Sequence, residues 1–385
     1  MPNKILYCAT EDDHFHAFHL PYLEWFKELG WEVHVAARGN MNLPFVDKKF
    51  DIPIERSPSS LKNIKAYSEL KRIIEEYNYQ IIHCHTPVGG VITRLAARQT
   101  RKQGTKVIYT AHGFHFYKGA SLANWLLFYP IEKYLSKITD CLVTINKEDY
   151  ELAVKKGFQA SRIEHIHGVG VDLDRFRAVE DQEKNHLRKE YGYQQEDFLM
   201  FYAAEFNENK NQRLLIEALA LLKDVSPNSK LVLAGEGVLL EKCKALANKL
   251  GVRDMVNFLG YRKDIDILLK ISDIAVASSK REGLPVNIME AMASSLPVIA
   301  LSNRGHRELV VNNQNGWIIE AENAEEIANK MKLLATDQNR RLLLGTNGRK
   351  IIQQRYSTKK VLAEMSRMYG SQIESRGEGF RWAIR

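Results

Sequence analysis

Short apolar runs alternate with amphipathic stretches along most of this chain. Residues 4–9, 32–37, 51–54, 80–85, 106–110 and 141–145 read as strands, since brief, nearly continuous apolar runs suit a sheet buried on both faces. Between them, residues 17–29, 62–77, 88–103 and 121–137 carry helical spacing, the first stopping at Gly30. Six strands alternating with helices over about 150 residues predict a parallel, doubly wound sheet. The pattern loosens over 165–195, which is polar and charged behind Gly168 and Gly170 and reads as a linker. Alternation then restarts. Strands are expected at 198–203, 230–234, 255–259, 273–277, 296–300 and 316–319, with helices at 212–222, 239–250, after Pro285, 324–334 and 340–355. The fold class is therefore α/β, with two Rossmann-like doubly wound domains facing across a cleft. No internal repeat or low-complexity tract is visible, and Gly and charge in the tail 375–385 leave its order open.

Composition agrees with this picture. A chain of 385 residues, 45% hydrophobic and 26% charged, is ordinary globular material and long enough for two cores. Its longest apolar runs are far shorter than the ~20 residues a membrane span needs. The start, MPNKILYCAT, enters a strand with no signal-peptide pattern, and the expected location is cytoplasmic. Cys8, Cys84, Cys141 and Cys243 include no CxxC pair and read as reduced packing residues, not a zinc or disulfide frame. The net charge of +8 fits an anionic small molecule, an anionic membrane or nucleic acid. No nucleic-acid-binding signature accompanies it, so nucleic acid is not an expected partner.

Candidate chemistry concentrates in loops that follow strands, where open α/β sheets bind ligands. The richest stretch is 280–300, KREGLPVNIMEAMASSLPVIA. It reads as loop, helix and buried strand, with Pro285 suited to the first helical turn. Glu282 precedes the helix, Glu290 lies within it, and Gly283 permits close backbone approach. A helix N-terminus attracts an anion, so the two carboxylates could grip hydroxyls on either side of a phosphate. A surface glutamate beside a helix cap is the simpler alternative. Lys210 heads a helix after a strand, where a point charge could meet a diphosphate or merely face solvent. The first half places His14, His16 and His19, then His83 and His85, then His112 and His115 after successive strands. HCH at a strand end is also a hydrolase ligand pattern, but such a site needs a barrel and a carboxylate, whereas two sheets and a linker are expected here. The Gly235-Glu236-Gly237 pattern is equally a tight turn.

The ordered set HCHTPVGG, TAHGFHFYKG, TINKED, HGVGVDLDRF, NENKNQ, LVLAGEG, VNFLGYRKDI, KREGLPVNIMEAMASSLPVIA and NQNGWII resembles the family 4 retaining glycosyltransferases of GT-B fold. Within them it is similar to the branch making capsule, exopolysaccharide or lipid-linked oligosaccharide. The resemblance spans nearly the whole chain. It implies an acceptor-side domain over 1–170, a donor domain over 171–355, and a C-terminal helix and tail over 356–385 returning to the first. It implies that Glu282 faces the donor sugar, that Gly283, Leu284 and Pro285 meet sugar and phosphate, and that Glu290 holds the ribose. Lys210 would neutralise the diphosphate, His112 would reach the sugar, and Arg262 would border the base. Glu205 stands where many members carry an arginine beside the lysine. The first loop lacks the usual Gly-Gly turn, which leaves His14 and His16 as acceptor-side candidates.

The activity this resemblance implies is transfer of a hexose or N-acetylhexosamine from a UDP-sugar to a polyprenyl-diphosphate-linked saccharide, with no metal and no cofactor required. An epimerase acting on a UDP-sugar and a non-catalytic sugar-nucleotide-binding protein are the alternatives. Basic helices at 62–72 and 94–102, with Trp125, Phe128 and Tyr129, could seat the chain on an anionic bilayer at the inner face of the plasma membrane; interior packing is the competing use of the aromatic run.

Overall fold

A computed structural model describes residues 2–374; the tail at 375–385 lies outside the described residues. The chain divides into two compact units, one holding the chain up to Gly170 together with the helix Thr358–Glu374, the other Val171–Ser357.

The first unit is a seven-stranded parallel sheet. Its strands are β1 (Lys4–Glu11), β2 (Glu32–Arg38), β3 (Lys48–Asp51), β4 (Ile81–His85), β5 (Lys106–Ala111), β6 (Cys141–Thr144) and β7 (Arg162–His165), in the order β3-β2-β1-β4-β5-β6-β7. Side chains alternate across it, as the two-residue period of a strand requires. Ile5, Tyr7 and Ala9 enter one core and Leu6 and Cys8 the other. Helices Lys62–Tyr77 and Pro87–Ala96 cover the second core. Leu20–Glu28 and Thr358–Glu374 cover the first, where Val361, Met365, Met368, Tyr369 and Ile373 are buried against the sheet. Fully burying such a side chain contributes about 1.5–3 kcal/mol, so the C-terminal helix is an integral layer of this unit.

The second unit repeats the plan. Strands β8 (Phe198–Ala203), β9 (Ser229–Ala234), β10 (Val256–Phe258), β11 (Ile274–Ala277), β12 (Val298–Leu301) and β13 (Gly316–Ile319) run in the order β10-β9-β8-β11-β12-β13. Both sheets thus reverse their winding beside the first strand, between β1 and β4 and between β8 and β11. Crevices at such reversals, beyond the carboxyl ends of the strands, are where this topology binds ligands. All four cysteines are free and buried.

Several elements differ from the pattern expected. The third strand is three residues early, because Ile52 and Ile54 plug the core beyond it instead of joining the ladder. The helix expected at 17–29 is two, Asp13–Phe18 and Leu20–Glu28, and that at 88–103 breaks at Ala97. Part of the expected linker is structured. Its first residue, His165, closes the unexpected strand β7, and Asp181–Glu190 is a helix whose buried Arg188 bonds the Ile271 carbonyl at 2.9 Å and Asp273 Oδ2 at 2.7 Å.

Candidate active site

In the second unit, two loops flank the sheet reversal, 204–211 after β8 and 278–285 after β11. They are stitched together. Lys280 N–H donates to the Asn209 carbonyl at 2.8 Å, Asn209 Nδ2 to the Arg281 carbonyl at 3.0 Å, and Ser278 Oγ to the Lys210 carbonyl at 2.7 Å. Asn207 Oδ1 accepts the Lys210 N–H at 3.0 Å and fixes the turn that presents the lysine. Lys210 Nζ then meets Glu282 Oε1 at 2.5 Å. One residue comes from each side of the reversal.

The loop after β12 closes against the same place. Arg304 Nε donates to the Glu282 carbonyl at 3.1 Å, and Asn303 Nδ2 to the Ser279 carbonyl at 2.8 Å. A Cβ on Gly305 would fall 2.9 Å from both Glu282 Cβ and Pro285 Cδ, so only glycine lets this helix start lie so near the glutamate. His306 is buried with Nδ1 2.6 Å from the Leu301 carbonyl, and burial lowers its pKa while Glu282 opposes that. Arg304, Gly305 and His306 were visible only as a polar strand-end loop; their contacts with Glu282 have no local pattern.

Pro285 is the residue before helix Val286–Ala293, one place short of the first turn. Its carbonyl takes the first intrahelical bond, from Met289, and Asn287 Oδ1 accepts the Ile288 N–H at 2.9 Å. Leu284 is buried and Gly283 partly so. Glu290 lies on this helix, partly covered, with desolvation lifting its carboxyl to about 7 against a lowering influence from Arg175. Glu205 is exposed, and its carbonyl accepts from Gln212 Nε2 at 2.9 Å. Gly235 and Gly237 pack on this segment, since a Cβ at either would strike the Ala204 or Phe206 carbonyl. That packing accounts for the Gly-Glu-Gly turn. Arg262 is committed to Asp264, its Nε donating to Oδ1 at 2.8 Å, and this pairing holds the Asp264 carboxyl near 2.

In the first unit, the carboxyl ends of β1, β4 and β5 and the segments that follow them bring His14, His19, His85 and His112 together, with candidate ligand nitrogens all within 4.8 Å of one another. His85 Nδ1 and His112 Nε2 are 3.2 Å apart. Burial keeps these rings neutral: His19 is lowered to about 3, His112 to about 4, and His14 and His85 well below the usual range. His16 is exposed and outside the group. His83 is turned away, bonded to Tyr369 Oη at 2.6 Å and Thr110 Oγ1 at 2.8 Å. At the same reversal Thr86 adopts φ 62°, and its Oγ1 lies 2.8 Å from Thr10 Oγ1.

Residues 183–351 match the family described as glycosyl transferases group 1, and residues 4–146 the family described as glycosyl transferase 4-like. EpsD of Bacillus subtilis (strain 168), which bears a glycosyltransferase name, is 50% identical over 376 residues, 97% of this chain and 98% of that one. The Escherichia coli UDP-Gal:alpha-D-GlcNAc-diphosphoundecaprenol alpha-1,3-galactosyltransferase is 27% identical across 74% of this chain and 73% of its own. In fold, Anabaena HepE, solved with UDP and glucose, is similar at a TM-score of 0.79 and 20% identity, over 96% of this chain and 100% of that one.

Proposed function

From the premise that this chain belongs to the glycosyltransferase 4-like family and is a GT-B glycosyltransferase, we propose that it transfers a hexose or N-acetylhexosamine from a UDP-sugar to a polyprenyl-diphosphate-linked saccharide. The transfer retains anomeric configuration and serves bacterial surface-polysaccharide synthesis. The observation that carries this reading is the Lys210–Glu282 pair at the reversal of the second sheet. Relatives support the rest: one is named for a UDP-galactose donor and a diphosphoundecaprenol acceptor, another for a diphospho-undecaprenol acceptor.

In this reading Lys210, with the N–H groups at the start of helix Val286–Ala293, stabilises charge as it develops on the departing diphosphate. Glu282 orients the sugar, Gly283, Leu284 and Pro285 shape the turn beside it, and Glu290 accepts from the ribose hydroxyls. Arg262, held by Asp264, would border the base, and exposed Glu205 would sit at the diphosphate's edge. As the C1–O bond stretches, the leaving diphosphate itself takes the acceptor proton on the same face, so the protein supplies positive charge and positioning. Lys210 supplies that charge without a required metal. His112 is assigned to the donor sugar, and His14 to the acceptor side; His16, on the exposed face of its helix, is the weaker acceptor candidate.

The acceptor's lipid anchor calls for a membrane surface, and the first unit offers one. Trp125, Phe128 and Tyr129 are partly buried against the core, the competing use of that run, and Arg94 is fully buried, 2.9 Å from Glu132. The outward stripe of helix Leu122–Ser136 is instead Leu122, Leu126, Leu127, Ile131 and Tyr134, with Leu122 81% exposed. Leu61 and Ile64 are exposed near Lys62 and Lys65, on a helix packed against the same core. We propose that this side rests on an anionic bilayer. No helix among the described residues is long and apolar enough to cross one.

A panel of UDP-sugars scored for slow UDP release and for product tests the activity. Release or transfer with one donor is expected. A new UDP-sugar without free UDP would make the chain an epimerase, and binding alone a regulator.

A further inference from the structure

We propose that His14, His19, His85 and His112 form a binding site for a borderline divalent transition-metal ion of the Zn2+ class. The quartet stands at the carboxyl ends of three adjacent strands, His85 closing β4 and His14 on the helix Asp13–Phe18, with all four candidate nitrogens within 4.8 Å of one another. Nitrogens bound to one tetrahedral ion at about 2.0–2.1 Å lie roughly 3.3–3.4 Å apart. His85 Nδ1 and His112 Nε2 already stand at 3.2 Å, and side-chain rotation closes the rest.

Hydrogen bonding favours the same reading. His19 Nδ1 lies 3.4 Å from the His14 carbonyl. A carbonyl only accepts, so Nδ1 carries the proton and Nε2 presents its lone pair, the arrangement an outer partner imposes on a ligating histidine. Nε2 of His14 is buried without a hydrogen-bond partner. A buried polar atom left so is uncommon and costly, and a bound cation would give it a partner. Four neutral imidazoles, with no carboxylate or thiolate in the group, suit Zn2+, Cu2+ or Ni2+ and not Mg2+ or Ca2+. Occupancy takes up His112, so such an ion inhibits the proposed transfer instead of assisting it.

The test is titration of the chelator-treated full chain with Co2+, followed by its visible absorption and by metal analysis after desalting. One equivalent per chain with a tetrahedral spectrum is expected, displaced by Zn2+. His14→Gln and His85→Gln should each weaken uptake by about tenfold or more, with circular dichroism reporting their fold. No stoichiometric uptake by the native chain overturns the proposal, as does uptake undiminished in folded variants. Uptake lost instead in His167→Gln would place the ion at His165 and His167 and overturn it equally. If neither variant folds, paramagnetically shifted imidazole N–H resonances in the native Co2+ form decide, and their absence overturns it. These readouts do not depend on turnover. Inhibition of UDP release by Zn2+ is a separate expectation that rests on the proposed function.

Discussion

Lys210 Nζ lies 2.5 Å from Glu282 Oε1, so the cation proposed for the diphosphate and the carboxylate proposed for the sugar neutralise each other. They are partly exposed, at 23% and 15% of their side-chain surfaces, and such a pair contributes about 0–1 kcal/mol to stability. A transition-state contact is worth more: loss of one stabilising donor costs about 100- to 1,000-fold in turnover. Lys210→Ala should therefore slow transfer by about that factor while shifting the melting temperature only a few degrees. Glu282→Gln should also slow transfer, yet it releases Lys210, and affinity for UDP should rise by about two- to fivefold. UDP titration calorimetry beside steady-state rates checks both. Parallel losses of melting temperature and activity would count against the assignment.

Glu290 gives a pH signature. Burial raises its carboxyl from 4.5 to about 7, so between those values the folded chain holds a proton that the unfolded chain has lost. Stability from this group falls as pH rises through that window, and the penalty is complete above about 7. Glu290→Gln removes the penalty. It should raise stability at pH 8 by on the order of 1–3 kcal/mol and leave it unchanged at pH 4, as read by urea denaturation. Nucleotide affinity should move the opposite way, since an ionised carboxylate accepts from ribose hydroxyls. UDP should bind more tightly as pH passes 7, and a 2′,3′-dideoxy nucleotide should lack that rise. The same pH dependence with both ligands would remove Glu290 from the ribose.

Much of this was legible because both sheets are buried on two faces, which leaves apolar runs too plain to miss. Failures fall where polarity hides structure. β7 is RIEH, an edge strand with no fully buried residue. The helix Asp181–Glu190 is held by Arg188 and Lys184 on Asp273, a tertiary bond between charged residues far apart in sequence. At the candidate site, motifs singled out Glu282, Glu290 and Lys210 as residues to examine. The mutual pairing of Lys210 and Glu282 was not legible, because 72 positions separate them. His19 and His85 join His14 and His112 only because β1, β4 and β5 are neighbours in the sheet.

Two glycines separate positioning from folding. Gly305→Ala puts a methyl 2.9 Å from Glu282 Cβ and Pro285 Cδ, and the loop carrying Glu282 must yield. A displacement near 1 Å at a reacting centre costs about 100-fold, so activity should fall by about 10- to 100-fold while the melting temperature changes little. Gly345→Ala sets its methyl 1.9 Å from the Ser295 carbonyl, backbone that cannot easily move. It should destabilise the second unit by about 1–3 kcal/mol, with folded molecules keeping their kcat. Thermal melts and kcat measured on both variants check this, and a large stability loss in Gly305→Ala would defeat the positioning argument.

The membrane proposal rests on residues that carry no core contact, which makes it safe to test. Leu122 and Leu126, 81% and 78% exposed, sit one turn apart on helix Leu122–Ser136. Burying a leucine in acyl chains is worth about 1.5–3 kcal/mol, and each lysine near an anionic surface adds about 1 kcal/mol. Exposed Lys62, Lys65, Lys118 and Lys137 belong to the same unit. The full chain should float with phosphatidylglycerol vesicles and much less with phosphatidylcholine ones, and salt should weaken but not abolish binding because the leucines are unscreened. Leu122→Glu with Leu126→Glu should reduce flotation more than tenfold by the same arithmetic and leave UDP affinity intact, since those residues lie outside the second unit, where the nucleotide is proposed to bind. Undiminished flotation of that double variant would show that this helix does not meet the bilayer.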